Sequence, residues 1–337
     1  MFVEEENFET PTENLEVSNE VKVEEKKTPV IIDEPIVLVP FEDNEPTYAE
    51  QVEALRIVIE KQNKKSSLIS TISIFVLFAL CIVGFLLMSI NPIVSYIILG
   101  CAIVALIVLT IILKRVCNPD LKGYVKSAST LVNRHLFARQ PFTDCTYDYS
   151  KKIVFSEIAE DGIYKDIKEA VSRDVVEGKY NGHSFKVAEL GIYKAPVGRT
   201  KPTSFVGKYL TLLNDCHFVD RIVILSKGET EVDLPDGIED LNKVLEDGKF
   251  SIYAPAGCKW EDVVNKKLVN KIKDIEVANH LLTLCVVIWA GRTIVYSSYD
   301  DDAITLPFNK PIDESCFDQY KNDNIALLEA LTTLCED

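Results

Sequence analysis

Between Ser66 and Leu113 the chain contains no Asp, Glu, Lys, Arg or His. A water-soluble domain rarely sustains such a run, so these residues constrain the fold before any other feature is read. Crossing a hydrocarbon core of roughly 30 Å takes about 20 apolar residues at about 1.5 Å rise each. The run holds two such lengths, 68–90 and 93–113, with Asn91-Pro92 between them to end one helix and start the next. The expectation is a two-helix transmembrane hairpin over 66–113; a buried pair of core helices is the alternative. Neither span carries an ionisable residue, which leaves a proton or ion relay nothing to use.

Lys61, Lys64 and Lys65 precede the hairpin, Lys114, Arg115, Lys122 and Lys126 follow it, and the turn has no basic residue. Positive charge marks the cytoplasmic side, so the expected location is the cell membrane, multi-pass, with both termini cytosolic. The acidic start of the chain argues against a cleavable signal peptide. Nine cysteines without a Cys-x-x-Cys pair then read as small hydrophobes in a reducing compartment. Cys117, just past the second span, is the one with an acylation reading.

Charge divides the chain. Lys and Arg number 36 against 52 Asp and Glu, a net −16, and residues 1–47 hold 14 acids and 3 lysines, hence −11 of that total. This balance argues against a nucleic-acid partner. Residues 1–46 are expected to be a disordered acidic tail. Within it lies an apolar island, 29–41, whose Pro29, Pro35 and Pro40 forbid a helix and whose Ile and Val favour an extended backbone. The island is suited to add as a strand to a sheet edge, on this protein or on a partner, or to stay solvated. Thr47-x-x-Glu50 reads as a capping box opening a juxtamembrane helix, 47–65. Its apolar stripe of Tyr48, Val52, Leu55 and Ile59 suits either a coiled-coil dimer or packing on the domain that follows.

Residues 118–337 are expected to form one cytosolic α+β domain, with a mainly antiparallel sheet and flanking helices. Asn118-Pro119-Asp120 starts a helix that runs to the Pro141 break. Strands are expected at 143–147, 153–158, 175–180, 184–193, 205–213, 221–226, 250–253, 284–289 and 293–299, with Asn181-Gly182 and Ala290-Gly291 as hairpin turns. Helices are expected at 260–275 and at the C-terminus around Leu327, Leu328, Leu331 and Leu334.

In its order of segments the chain resembles a bacterial family of membrane-anchored proteins, domain of unknown function family 3137. The likeness rests on the apolar run and on Asp174-Val-Val-Glu-Gly-Lys-Tyr-Asn-Gly-His-Ser-Phe-Lys-Val-Ala-Glu-Leu190, which is similar to that family's Asp-x-x-x-Gly-x-Tyr-x-Gly-x-x-Phe-x-x-x-Glu-Leu block. Weaker matches fall at 205–225, 245–253 and 287–299, and the chain departs from the pattern at 254–258 and 269–271. The resemblance implies architecture and bacterial origin and lends no catalytic residue.

Dinucleotide, P-loop, zincin and nucleophile-elbow motifs are all absent. No catalytic, cofactor-binding or metal residue is assigned. His135, His183, His217 and His280 each have a local reading as packed or turn residues; Asp300-Asp301-Asp302 reads as a solvated turn. Arg199, Lys201 and Lys208 read as a basic surface loop, with lipid headgroups as the alternative contact. Enzyme status stays open, leaning against. The expected function is a membrane-tethered protein-binding or adaptor module, with a partner reached through the acidic tail or a sheet edge. The alternative is a membrane-associated enzyme or small-ligand sensor.

Overall fold

The structure is a computed structural model that describes residues 35–88, 90, 92–112, 120–194, 203–213, 220–227, 235–248, 250–279, 281–299, 310–313 and 318–332. The acidic tail to residue 34, Cys117, Arg199, Lys201, His217, His280 and Asp300-Asp301-Asp302 lie outside the described residues.

Helix α1 runs from Tyr48 to Leu87 without a break. Its capping box is complete: Glu50 N donates to Thr47 Oγ1 at 3.2 Å, and Thr47 N donates to Glu50 Oε2 at 2.9 Å. The first three turns bury Tyr48, Ala49, Val52 and Ile59 in the domain core, so the apolar stripe packs on the chain's own domain and leaves no coiled-coil seam. Further along the same helix the side chains turn outward, and Leu68, Ile72, Ile74, Phe75, Phe78 and Phe85 are all exposed.

Helix α2, Pro92–Ile112, folds back on α1, with the buried Ser95 hydroxyl donating to Gly84 O at 2.5 Å. Here the structure corrects the sequence reading. Among the described residues one helix, Tyr48–Leu86, is long and apolar enough to cross a membrane. In the helix after it the fully described apolar stretch is Pro92–Val108. The sequence reading took a second span from composition and length alone. A two-span hairpin, and with it a multi-pass protein with both termini cytosolic, is not supported.

The remainder of the fold is α+β. Among the described residues ten antiparallel strands form one sheet: β1 (Ile36–Val37), β2 (Phe142–Asp148), β3 (Ile167–Tyr180), β4 (His183–Lys194), β5 (Thr203–Leu213), β6 (Ile222–Lys227), β7 (Asn242–Asp247), β8 (Phe250–Ala254), β9 (Leu281–Trp289) and β10 (Arg292–Tyr299). Their order is β1-β2-β3-β4-β5-β10-β9-β6-β8-β7. Both turns expected from sequence are made with positive φ at both central residues, 49° and 86° at Asn181-Gly182 and 50° and 76° at Ala290-Gly291, the conformation that matches strand twist in a tight hairpin.

The sheet is covered on both faces, which explains strands as continuously apolar as Ile222-Val-Ile-Leu225 and Val286-Val-Ile288. One face carries Val176, Phe185, Leu212, Ile224, Ile252 and Val286 under α1, α3 (Leu121–Phe137), α5 (Lys266–Asn279) and α6 (Asp318–Thr332). The other carries Val175, Leu190, Tyr209, Val223, Val287 and Tyr296 under the short helix α4 (Phe155–Asp161).

Local expectations are corrected in three places. Residues 153–158 are not a strand: after Ile153-Val154 the chain turns into α4, where Ile158 is fully buried and Gly162, at φ 63°, ends the helix. Glu157, Ala159, Glu160 and Asp161 are poor strand formers, and they outweigh the β-branched pair before them. The helix expected over 260–275 is a 3₁₀ turn at Trp260–Asp262 followed by α5, because Asn265 Oδ1 accepts from Leu268 N at 2.9 Å and caps a new start. Lys208 lies in β5 with 2% exposure rather than on a surface loop.

Candidate functional site

The described part of the apolar island, residues 35–41, closes one edge of the sheet. Ile36 and Val37 pair with Tyr147 and Thr146 of β2, and Leu38 N donates to Cys145 O at 2.9 Å. Leu38 is buried while Val37 and Val39 remain exposed on either side of it. With only two paired residues flanked by Pro35 and Pro40, β1 is a poor template for a further strand.

What fixes β1 is Arg134 in the last turn of α3. Its Nε donates to Val39 O at 2.8 Å, its Nη2 donates to Pro40 O at 3.1 Å and lies 3.1 Å from Glu45 Oε2, and the guanidinium stacks 4.1 Å from the Phe41 ring centre. The planar fork thus serves two carbonyls that no strand partner reaches. The opposite edge, β7, is guarded differently: Lys243, Glu246 and Asp247 are exposed along it, and Asp247 pairs with Lys273 of α5.

Two buried carboxylates pin the helices to the sheet. On the α4 face, Asp161 Oδ2 accepts from Tyr296 at 2.7 Å and from Tyr209 at 3.2 Å, and Arg292 Nη2 lies 3.1 Å from Oδ1. Burial pushes the Asp161 carboxyl up to about 6, against the opposing pull of Tyr296 and Arg292. On the other face, Asp174 accepts a hydrogen bond from Tyr147, and its own N–H reaches Tyr149 O at 3.2 Å. Burial, with Glu189 adding to it, pushes Asp174 up to about 6. Asp174 takes φ 56° at a bulge in β3, a conformation Asp tolerates better than most residues. Both carboxylates are filled by partners inside the core, an arrangement that positions elements rather than substrates.

The Asp174–Leu190 block has structural roles throughout. Tyr180, Phe185 and Leu190 are buried, and Gly182 makes the turn. A Cβ on Gly178 would meet Cys145 Cα at 3.0 Å and Thr143 O at 3.1 Å, so β2 and β3 approach too closely there for a side chain.

A cleft of about 560 Å³ opens beside α4, lined by Phe155, Tyr164, Lys165, Lys168, Arg221 and Asp240 among others. Arg221 donates to the carbonyls of Asp161 and Gly162, both at 3.3 Å, and of Gly237 at 3.2 Å. Lys165 lies 3.3 Å from both Glu239 and Asp240. These groups hold the rim together. Sequence reasoning missed Arg134, Asp161 and Arg221, because each acts on residues that no local spacing connects to it.

Of the histidines, His135 stacks on Tyr48 at 3.9 Å between ring centres and lies 3.2 Å from Arg139, while His183 opens β4 after the Asn181-Gly182 turn. The structure does not bring them together. Among the described residues no group of three or more His, Cys, Asp or Glu side chains is arranged to hold a metal ion. The described cysteines are free thiols, and burial pushes Cys145 up to about 11 and Cys285 up to about 12. Such thiols are poor nucleophiles.

No protein-family model matches the sequence, and no curated protein matches it. Among solved structures the chain is similar to the crystal structure of the mycobacterial trehalose monomycolate transport factor A, TtfA, at 10% identity and a TM-score of 0.34, over 56% of this chain and 86% of that one.

Proposed function

We propose that the chain is a membrane-linked binding module, in which an α+β domain is held at a bilayer by α1 and offered to a protein partner. One observation carries the reading. Tyr48, Val52 and Ile59 are core residues of the domain, and the exposed apolar residues from Leu68 to Phe85 stand on the same unbroken helix. A helix built this way links a folded domain to lipid with no flexible joint between them. The partner surface in this reading is the outer edge of β2, which β1 occupies in cis. Membership of the bacterial membrane-anchored family belongs to this proposal, and the Asp174–Leu190 block supports it.

The test is photo-crosslinking from Thr143, an exposed residue of β2, with the full chain in native membranes. Arg134→Ala, which frees β1, is expected to raise capture of one defined protein. Equal capture with and without the substitution rejects the edge as the partner surface. The cleft beside α4, with Tyr164 and Phe155 as apolar walls and Lys165, Lys168 and Arg221 at its rim, supports a second reading as a site for a small anionic ligand. Thermal stabilisation of the full chain by such compounds, lost in Lys168→Glu, would favour that reading.

A further inference from the structure

The junction between α1 and the domain carries more than a tether. Helices α1 and α3 pack antiparallel: Tyr48 stacks on His135 near one end, and Arg56 and Glu53 act electrostatically on Tyr124 near the other. Descending α1 therefore means approaching the start of α3. Counting residues from the two contacts, Lys122 falls level with about residues 57–61 of α1. Lys61 then stands about 10 Å above Leu68, where the charge-free run of exposed apolar residues begins, with Lys122 at or above that level and Lys64 and Lys65 about 5 Å above Leu68. The headgroup layer of one leaflet, half the difference between a 40–45 Å bilayer and its roughly 30 Å core, is about 5–7.5 Å deep, so Lys64 and Lys65 stand within it while Lys61 and Lys122 stand at its outer side and reach down with their own long side chains.

We propose that Lys61, Lys64, Lys65 and Lys122 form a docking surface for the anionic headgroups of the bilayer that α1 enters, and that this contact sets the tilt of the domain. All four side chains are exposed. Lys61, Lys64 and Lys65 fall at spacings of three and four, which brings them to one side of α1. The acids at this level are already engaged: Glu60 is bound by the buried Arg56 as well as by Lys64, and Asp120 accepts from Gly123 N to cap α3. Lys126 is turned away toward the Tyr149 ring, 5.9 Å from its centre, and takes no part. Against a chain of net charge −16, a positive belt at the one level where a membrane would begin is complementary to acidic lipid and to little else on the protein.

This inference rests on the membrane-linked reading, and the experiment separates the two. The full chain carrying a fluorophore at Leu121→Cys is reconstituted into phosphatidylcholine vesicles, or into vesicles of equal phosphatidylcholine and phosphatidylglycerol, each with a headgroup-attached quencher. Flotation with the vesicles reads the link to the membrane, and quenching reads the docking. Flotation is expected in both lipids, with stronger quenching in the anionic vesicles that fades as salt is raised. The charge-reversed K61E/K64E/K65E/K122E chain is expected to float and to lose the difference between the two lipids. Should that variant fail to fold, the neutral K61Q/K64Q/K65Q/K122Q set answers the same question. Quenching that is equal in both lipids, or unchanged in the floating variant, overturns the docking surface alone. Failure of the unsubstituted chain to float overturns the membrane link and the docking surface with it.

Discussion

Arg134 Nε and Val39 O are bonded at 2.8 Å although 95 residues separate them in the chain. That bond, with its neighbours at Pro40, Glu45 and Phe41, ties the end of α3 to the strand that closes the sheet. Arg134→Ala removes the clamp and leaves β1 with two paired residues and the Leu38 amide bond. Hydrogen bonds from charged donors contribute roughly 1.5–3 kcal/mol each, so local opening of β1 becomes easier by about that amount, and the Leu38 amide should exchange with solvent at least tenfold faster. Protection of amides in β9, at the centre of the sheet, should not change.

The pinned carboxylates predict a pH dependence. Burial raises Asp161 and Asp174 from an ordinary 3.8 to about 6 in the folded chain. The folded state thus binds protons more tightly than the unfolded one between pH 4 and 6, and the stability tied to protonation is complete below about 4 and lost as pH rises through about 6. Denaturant unfolding of the full chain should show stability falling across this window. Asp161→Asn and Asp174→Asn should each flatten part of the slope, and a profile unchanged by both would contradict the assignment.

Gly237 predicts a steric cost. A Cβ there would lie 2.7 Å from Ile163 Cα and from the Gly162 carbonyl carbon, both backbone atoms that cannot swing aside. Gly237 O also accepts from Arg221. Gly237→Ala should destabilise the chain by roughly 1–3 kcal/mol, whereas Gly248→Ala, with open space around it but φ 63°, should cost only about 1 kcal/mol of backbone strain. Denaturation midpoints of the two variants give the comparison.

Leu268 is fully buried in α5 on the face that α1 and α3 also cover. Leu268→Ala should cost about 2–5 kcal/mol. An equal loss in a variant of exposed Phe75 would mean that the outward stretch of α1 packs on protein instead of facing lipid.

Features written in neighbouring residues could be read directly. Thr47 and Glu50 sit at capping-box spacing, and Asn181-Gly182 and Ala290-Gly291 sit between apolar runs, so a helix start and two hairpins were visible before any packing was known. Edges were harder. Strand β7 has the composition of a loop, because exposed charges are what an unpaired edge needs, and Ile153-Val154 looks like a strand because its helical continuation depends on Ile158 finding a core. The length rule counted a second span from composition alone. The site residues that matter most, Arg134, Asp161 and Arg221, reach partners brought near only by the finished sheet, and no spacing along the chain records them.

The proposed membrane link requires α1 to be one rigid helix, part in the domain core and part in lipid. A nitroxide scan over residues 57–80 of the full chain in liposomes, with oxygen and a water-soluble nickel chelate as collision partners, tests it most directly. Helical periodicity is expected throughout, with oxygen accessibility overtaking nickel accessibility near Leu68. Loss of periodicity between residues 60 and 68, or nickel reaching Phe75 freely, would contradict it.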